Sequence, residues 1–200
     1  MAISLQKGQR IDLTKDTGLT NALIGLGWDP VEQKKGGLLS GLFGGGGGAN
    51  IDCDASVIML ENDKLSRKKD LIYFGNLQST CKSIKHTGDN ITGEGEGDDE
   101  QVMVSLNNVP AHINKLVFVV NIYDCVSRKQ DFGMIQNAFI RVVNQTDGKE
   151  LIRFNLTDDY AGKTSLIVAE IYRSGDEWKF AAIGNGTNDA SLSELVKSFQ

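Results

Sequence analysis

Apolar and polar residues alternate with a period of two along most of the chain. Such alternation, in segments rich in Val, Ile, Phe and Tyr, is typical of β-strands that bury one face. Gly, Asn and Asp occupy the breaks between segments. The predicted strands are residues 3–13, 22–28, 51–60, 71–74, 101–106, 115–123, 137–143, 150–156, 165–173 and 177–183. Because no ten-residue helical pattern separates them, they predict an all-β fold, an antiparallel β-sandwich of about ten strands.

The C-terminus has a different period. Its apolar residues recur at i, i+3, i+4 and i+7, which places them on one face of a helix. These residues are Leu192, Leu195, Val196 and Phe199. Ser191 and Glu194 have the spacing of a capping box, so we predict a short helix that starts at Ser191 and lies across one edge of the sandwich.

The length of 200 residues predicts one domain over residues 1–200, with one interruption. Residues 34–49 read KKGGLLSGLFGGGGGA, a composition whose backbone entropy opposes independent folding. We interpret this segment as a glycine-rich loop inserted at the surface. Its apolar residues between 38 and 43 leave an alternative, a tip that contacts a membrane or a partner protein.

Composition narrows the classes of function. A net charge of -5 and an isoelectric point near 5.1 argue against nucleic acid as a partner, since nucleic-acid binders present a basic face. The N-terminus lacks the apolar core of a signal peptide, and the longest apolar run, residues 116–120, is too short for a transmembrane segment. The three cysteines have no metal-binding or disulfide spacing. A cytoplasmic protein is expected.

The most unusual segment is acidic. Residues 86–100 read HTGDNITGEGEGDDE, and from Asp89 to Glu100 they carry six carboxylates with no Lys or Arg. At roughly 6 Å in water, two like charges repel by about 0.7 kcal/mol, so such a loop favours a counter-charge. Ca²⁺ takes six to eight oxygen ligands, and glycines let a chain wrap around an ion. The segment lacks the residue pattern of an EF-hand, so it predicts a metal loop of another kind.

A second acidic element supports the metal interpretation. Asp52 and Asp54 are two residues apart at the start of a strand, so both project from one face. Asp29, after the apolar segment ALIGLGW, is expected at the same end of the sandwich. The alternative is that these acids are merely solvated.

Signatures of catalysis are few. The chain has two histidines, His86 before the acidic segment and His112 in a loop, and we interpret them as a turn residue and an exposed residue. No Gly-x-Ser-x-Gly motif occurs, and the AGKTS of residues 161–165 lacks the first glycine of a phosphate-binding loop.

Taken together, the motifs resemble those of the TerD family of tellurite-resistance and general stress proteins. The resemblance extends over nearly the whole chain, and the acidic motif is its most specific part. The motifs include KGQRIDLTK (7–15), GLGWD (25–29), DCDAS (52–56), HTGDNITGEGEGDDE (86–100), FVVNIYD (118–124), FGMIQNAFIRVVN (132–144), RFNLTDD (153–159) and EIYRSGDEWKFAAIG (170–184). The resemblance implies a cytoplasmic β-sandwich that binds calcium through its acidic motifs.

The resemblance also implies a set of metal ligands. The residues that stand at the acidic positions of the family are Asp29, Asp52, Asp54, Asp89, Asn90, Glu94, Glu96, Asp98, Asp99 and Glu100, with Glu170 as a weaker candidate. One or two Ca²⁺ ions are expected, and other stress-operon proteins at the inner membrane surface are candidate partners. No transmembrane segment is expected.

This chain departs from the family pattern in three places. The first acid of the usual Asp-Phe-Asp-Leu-Asp-Ala-Ser motif is replaced, the glycine-rich insertion stands where a short turn is usual, and the C-terminal glycine pair is absent. The favoured function is a non-catalytic, calcium-binding stress protein that acts as a scaffold or sensor, because the sequence offers no nucleophile or base near residues 86–100. The alternative is a metal-dependent hydrolase or another enzyme that uses the same acidic site.

Overall fold

Two β-sheets form the structure. The computed structural model describes residues 2–15, 17–31, 51–88 and 97–200, so the predicted glycine-rich loop at 34–49 lies outside the described residues. The described strands are β1 (Ile3–Leu5), β2 (Arg10–Asp12), β3 (Asn21–Pro30), β4 (Cys53–Leu60), β5 (Leu71–Ile72), β6 (Ile84–His86), β7 (Glu100–Ser105), β8 (Lys115–Ile122), β9 (Ile135–Asn144), β10 (Glu150–Asn155), β11 (Ser165–Ser174) and β12 (Glu177–Thr187).

Each sheet contains six of these strands. The first sheet has the order β1-β10-β9-β3-β7-β6, and the second has the order β2-β12-β11-β8-β4-β5. Neighbouring strands are antiparallel except β1 and β10, which pair in parallel. The predicted antiparallel β-sandwich is thus confirmed.

The strand prediction differs from the structure at two places. The segment 3–13 is divided between the sheets, because a turn with Gly8 at φ +84° separates β1 from β2. Glycine adopts this left-handed conformation without a steric cost. Strand β6 was not predicted, because its three residues are too few to show an alternating pattern.

The main core lies between the two sheets. Ile24 and Ile140 contribute to it from the first sheet, and Phe118 and Phe180 from the second. All eight residues of β4 are buried, because its inner face meets this core and its outer face is covered as well. Continuous burial of a strand requires apolar residues on both faces, and the sequence VIML within β4 supplies them.

The C-terminal helix covers that outer face. Helix α2 (Leu192–Leu195) begins after Ser191, whose hydroxyl accepts a hydrogen bond from the Glu194 amide at 3.3 Å, as in the predicted capping box. A 3₁₀ turn (Val196–Phe199) follows. The apolar face of this segment packs on four residues of β4 and β8: Ile58, Leu60, Val117 and Val119.

The predicted position of the helix at an edge of the sandwich is therefore wrong. The apolar outer face of β4 and β8 offers more surface to bury than an edge does. The other short helix, α1 (Cys125–Arg128), follows β8. Within the parts of the chain that the structure describes, no helix has the length and apolar character needed to cross a bilayer.

We predict that Leu195→Ala destabilises the protein by about 2–3 kcal/mol, because it leaves a cavity in the smaller apolar cluster. Urea unfolding of the variant measures this change. Lys197→Ala is the matched control, since Lys197 is exposed on the same segment, and its free energy of unfolding should change by less than about 0.5 kcal/mol. Equal stability of the two variants would show that the segment does not pack on the sheet in solution.

Candidate metal site

The end of the acidic motif crosses β3 at close range. At Gly25 an added Cβ would collide with the carboxylate of Asp98, and at Gly27 it would collide with the Phe139 ring and the Gly97 carbonyl. These two glycines of the GLGWD motif therefore leave room for residues 97–98 on the outer face of the first sheet. Because neither glycine has a side chain, the acidic segment can approach the backbone of β3 closely.

Asp98 is held in an ion pair with Arg141. The Arg141 guanidinium donates to both Asp98 carboxylate oxygens, at 2.7 and 3.0 Å, and the side-chain amide of Gln101 donates to Asp98 Oδ2 at 3.0 Å. The Asp98 side chain is fully buried in this contact. A bidentate arginine compensates the charge of a carboxylate and fixes its plane. The charge of Asp98, one of the predicted ligands, is thus already compensated by an arginine on β9 of the first sheet.

Asp99 points toward the end of β3. Its Oδ2 accepts a hydrogen bond from the Trp28 amide at 2.7 Å. Burial raises the pKa of Asp99, and the nearby charges of Asp29 and Asp98 raise it further, while the hydrogen bond from Trp28 opposes the shift. A carboxylate that is repelled by two others gains from a cation.

Glu100 joins the two sheets. It lies on β7 in the first sheet, and its Oε2 accepts a hydrogen bond at 2.5 Å from the Ala55 amide of β4 in the second sheet. His86 lies beside this contact, with Nε2 at 3.1 Å from the Ala55 carbonyl and 3.5 Å from Glu100 Oε2. Strand β5 pairs with β4 only at Val57 and Ile58. The side chains of Glu100 and His86 therefore satisfy the backbone hydrogen-bonding groups of Ala55 at the edge of β4.

The interpretation of His86 as a turn residue was therefore wrong. His86 is buried on β6, and the Gly88 amide donates to its Nδ1 at 3.1 Å, so Nε2 carries the proton that faces Ala55. Burial lowers the pKa of His86, but the hydrogen bond and the charge of Glu100 outweigh it and raise the pKa above its usual value. The histidine positions Glu100 within the site.

Asp52 and Asp54 reach the same end of the sandwich from the second sheet. Asp54 is buried on β4 directly opposite Asn121 of β8, and Asp52 Oδ2 lies 3.7 Å from the Arg128 guanidinium. Burial raises the pKa of Cys53 well above its usual value, and four carboxylates raise it further. These are Asp54, Glu100, Asp52 and Asp99. Acids of both motifs are thus near enough for their charges to act on the same buried thiol.

The other predicted ligands are placed at differing distances from this group. Asp29 accepts a hydrogen bond from Asn137 at 2.8 Å, and its charge acts on Asp99. Glu170 is remote, because it pairs in register with Val117, four residues along β8 from Asn121, and lies 3.8 Å from Lys115. The predicted ligands Asp89, Asn90, Glu94 and Glu96 lie outside the described residues.

The described residues alone do not complete a metal centre. Outside the gap at residues 89–96 and the other gaps in the described ranges, no group of three or more His, Cys, Asp or Glu side chains is arranged to hold an ion. The described carboxylates therefore form one side of a candidate site, and the predicted ligands of the acidic loop fall within the gap.

Two residues of this region were not predicted from the pattern of charges. Arg141 is a single cation in the apolar strand FIRVVN, and its role depends on its register opposite Gly25, which a sequence does not display. Asn121 lies in FVVNIYD, where a polar residue interrupts a continuous apolar run. That interruption is a signal that sequence analysis could have used.

A two-sheet β-sandwich with carboxylates from both sheets gathered at one end defines the class of this protein. The model of the TerD domain matches residues 1–199 of the chain. The chain belongs to the TerD family, as the motifs predicted.

Curated relatives are similar over nearly their whole length. The chain is 66% identical to the stress response protein SCP2 of Bacillus subtilis (strain 168) over 200 residues, which is 100% of both chains. It is 40% identical to the tellurium resistance protein TerD of Serratia marcescens over 188 residues, 93% of this chain and 91% of the relative.

Solved structures share the fold. A crystal structure of a homologue of the telluride resistance protein TerD from Streptomyces coelicolor A3(2) has a TM-score of 0.63 and 19% identity, and covers 86% of this chain and 92% of that chain. A crystal structure of a protein of unknown function has a TM-score of 0.69 and 19% identity, and covers 92% and 99%. At this identity the likeness shows the fold alone.

We predict that Arg141→Met destabilises the protein by about 3 kcal/mol, because it leaves the buried Asp98 carboxylate without its counter-ion. Adding Asp98→Asn should restore part of the loss, with a coupling of about 2 kcal/mol between the two sites in a double-mutant cycle. Chemical denaturation of the four proteins gives the cycle.

Arg153→Met is the control for this cycle. Arg153 pairs in register with Arg141 but is more exposed, with an ion pair to Glu150 at 3.9 Å, so its loss should cost about 1 kcal/mol or less. Strictly additive effects of Arg141→Met and Asp98→Asn would contradict the ion pair.

Proposed function

We propose that the protein is a calcium-binding, non-catalytic stress-response protein of the TerD type that acts as a scaffold or sensor. One observation carries the proposal: the hydrogen bond from the Ala55 amide to Glu100 brings the acidic starts of β4 and β7 together, and the charges of Asp52, Asp54, Asp99 and Glu100 all act on Cys53. Like charges brought together in this way repel one another, so a bound cation would stabilise the arrangement.

The donor set fits Ca²⁺. Carboxylate oxygens are hard ligands, and Ca²⁺ accepts them in a flexible sphere of six to eight, whereas Mg²⁺ requires a strict octahedron. We assign Asp52, Asp54, Asp99 and Glu100 as ligands from the described residues, with the predicted ligands of the acidic loop completing the sphere. The bound ion supplies a positive charge that relieves the repulsion among these groups.

Residues around the acids determine their orientation. The Ala55 amide and His86 fix Glu100, and the Trp28 amide fixes Asp99. These hydrogen bonds hold the carboxylates of Asp99 and Glu100 in place before a cation arrives, which lowers the cost of ordering them on binding. The Asp98–Arg141 ion pair anchors the acidic segment to the first sheet, so we assign Asp98 an anchoring role.

The relatives support a role in stress. One is called a stress response protein and another a tellurium resistance protein, and we propose a role of the first kind for this chain because that relative is 66% identical to it. We also propose the cytoplasm as its compartment, which suits the three free thiols of Cys53, Cys81 and Cys125. Other stress proteins at the inner membrane surface are the proposed partners.

We predict that metal-free protein binds Ca²⁺ more tightly than Mg²⁺ in a calorimetric titration, because the oxygen donors are many and come from separate elements. Calcium at a hundredfold excess over its Kd should stabilise the native state by about 2.7 kcal/mol, which raises the melting temperature. Equal or tighter binding of Mg²⁺, or melting temperatures that agree in chelator and in calcium, would refute the proposal.

We further predict that Asp52→Asn combined with Asp54→Asn loses at least one equivalent of bound Ca²⁺ or about tenfold in affinity, some 1.4 kcal/mol. The substitutions keep the size of both side chains and remove two negative charges. Glu170→Gln is the matched control, because Glu170 lies elsewhere on the second sheet beside Lys115 and its loss should leave affinity unchanged. Unchanged stoichiometry and affinity in the double variant would separate these aspartates from the metal site.

A further inference from the structure

A cleft opens on the outer face of the second sheet, beside the start of α2. Its volume is about 460 Å³, and all of the residues that line it are described. Clefts of roughly 300–1,000 Å³ are of the size that holds small molecules. The walls come from the chain after β5, the end of β8 and the residues that precede α2.

The floor of the cleft is polar. Asp54 and Asn121 line it, and they stand directly opposite each other on β4 and β8, with exposed fractions of 4% and 5%. Side chains in such a pair have Cβ atoms about 4.5–5.5 Å apart, so one ligand atom can contact both. Among the described residues, the amide oxygen of Asn121 has no hydrogen-bond partner although it is buried, which leaves an acceptor for a ligand.

The walls of the cleft are aromatic. Tyr73 and Phe74 pack edge to face with centroids 5.3 Å apart, and both line the cleft. Tyr123 also lines the cleft and is 50% exposed, and Phe74 is 45% exposed. Exposed aromatic rings around a polar floor provide apolar contact and π-faces for a ligand.

The charge of the cleft is negative. Asp54 and Asp124 line it, and none of its lining residues is Lys or Arg. A cation of the protein already uses the rim, because the Arg128 guanidinium lies 5.4 Å from the centroid of the Tyr123 ring, 3.9 Å from Asp124 and 3.7 Å from Asp52. This arrangement shows that the rim accommodates an organic cation over an aromatic face.

We propose that the cleft binds a small organic cation, an alkylammonium compound whose ammonium group meets Asp54 and Asn121 and whose carbon chain lies between Phe74 and Tyr123. The ammonium group donates to the carboxylate and to the free acceptor of Asn121, and the rings cover the carbon chain. An anion would be repelled by Asp54 and Asp124, and a neutral apolar ligand would leave the buried amide oxygen of Asn121 without a hydrogen-bond donor.

The proposal is tested by calorimetric titration of the full-length protein with n-hexylammonium and with n-hexanol, which has the same chain without the charge. Both titrations are done with a chelator present, so the result does not depend on whether the protein binds calcium. We expect hexylammonium to bind and hexanol to bind at least about tenfold more weakly, since a tenfold ratio corresponds to 1.4 kcal/mol. Equal binding of the two compounds, or no binding of hexylammonium, would overturn the proposal.

Variants locate the binding to the cleft. Asn121→Leu and Tyr123→Ala should each weaken hexylammonium binding at least about fivefold, because the first removes a hydrogen bond to the ammonium group and the second removes apolar contact with the carbon chain. Tyr172→Ala is the matched control, because it removes a tyrosine of the same sheet that does not line the cleft, and it should bind as the parent does. If Tyr172→Ala weakened binding as much as Tyr123→Ala, or if neither cleft variant weakened it, the cleft would not be the site.

Discussion

The hydrogen bond from the Ala55 amide to Glu100 is the contact on which the acidic end of the sandwich depends. It runs from a backbone group of the second sheet to a side chain of the first, at a point of β4 where none of the described strands pairs on that side. A buried amide without an acceptor costs about 1–3 kcal/mol, so this carboxylate has a structural task before any ligand is considered. Through it the position of one sheet determines the position of acids on the other.

Three consecutive acids of the motif have three different surroundings. Asp98 turns outward to Arg141, Asp99 turns to the Trp28 amide, and Glu100 turns inward to β4. Successive side chains in extended backbone point to opposite faces, so a run of acids at the start of a strand cannot act as one uniform cluster. The acidic run combines anchoring of the chain with a candidate ligand set.

The sequence predicted most of the fold because the alternation of long strands is a local property. All ten predicted strand segments contain strands in the structure, and the capping residues Ser191 and Glu194 mark the start of α2. The prediction was weaker where the result depends on partners distant in sequence. The position of the helix depends on which strands together form an apolar outer surface. That surface depends on the order of the strands in the sheet, which local patterns do not reveal.

The candidate site likewise has features that local sequence predicts and features that depend on residues distant in sequence. Acidic residues at positions 29, 52, 54 and 98–100 were recognised from their charge and spacing, and the structure places all of them near one end of the sandwich. The pairing of Asp98 with Arg141 was not predictable, because it requires the register of β9 against Gly25 of β3. The burial of His86 was missed because β6 is only three residues long and its neighbours are polar.

The first strands of the chain pair with strands that come late in the sequence. Strand β1 at residues 3–5 pairs with β10 at 150–155, and β2 at residues 10–12 pairs with β12 at 177–187. During synthesis β1 and β2 leave the ribosome before β10 and β12, so they have no partners until those later strands have emerged. Contacts of such large sequence separation carry a high loop-closure cost and favour slow folding. The segment that joins the two sheets at their edges is thus synthesised well before the strands with which it pairs.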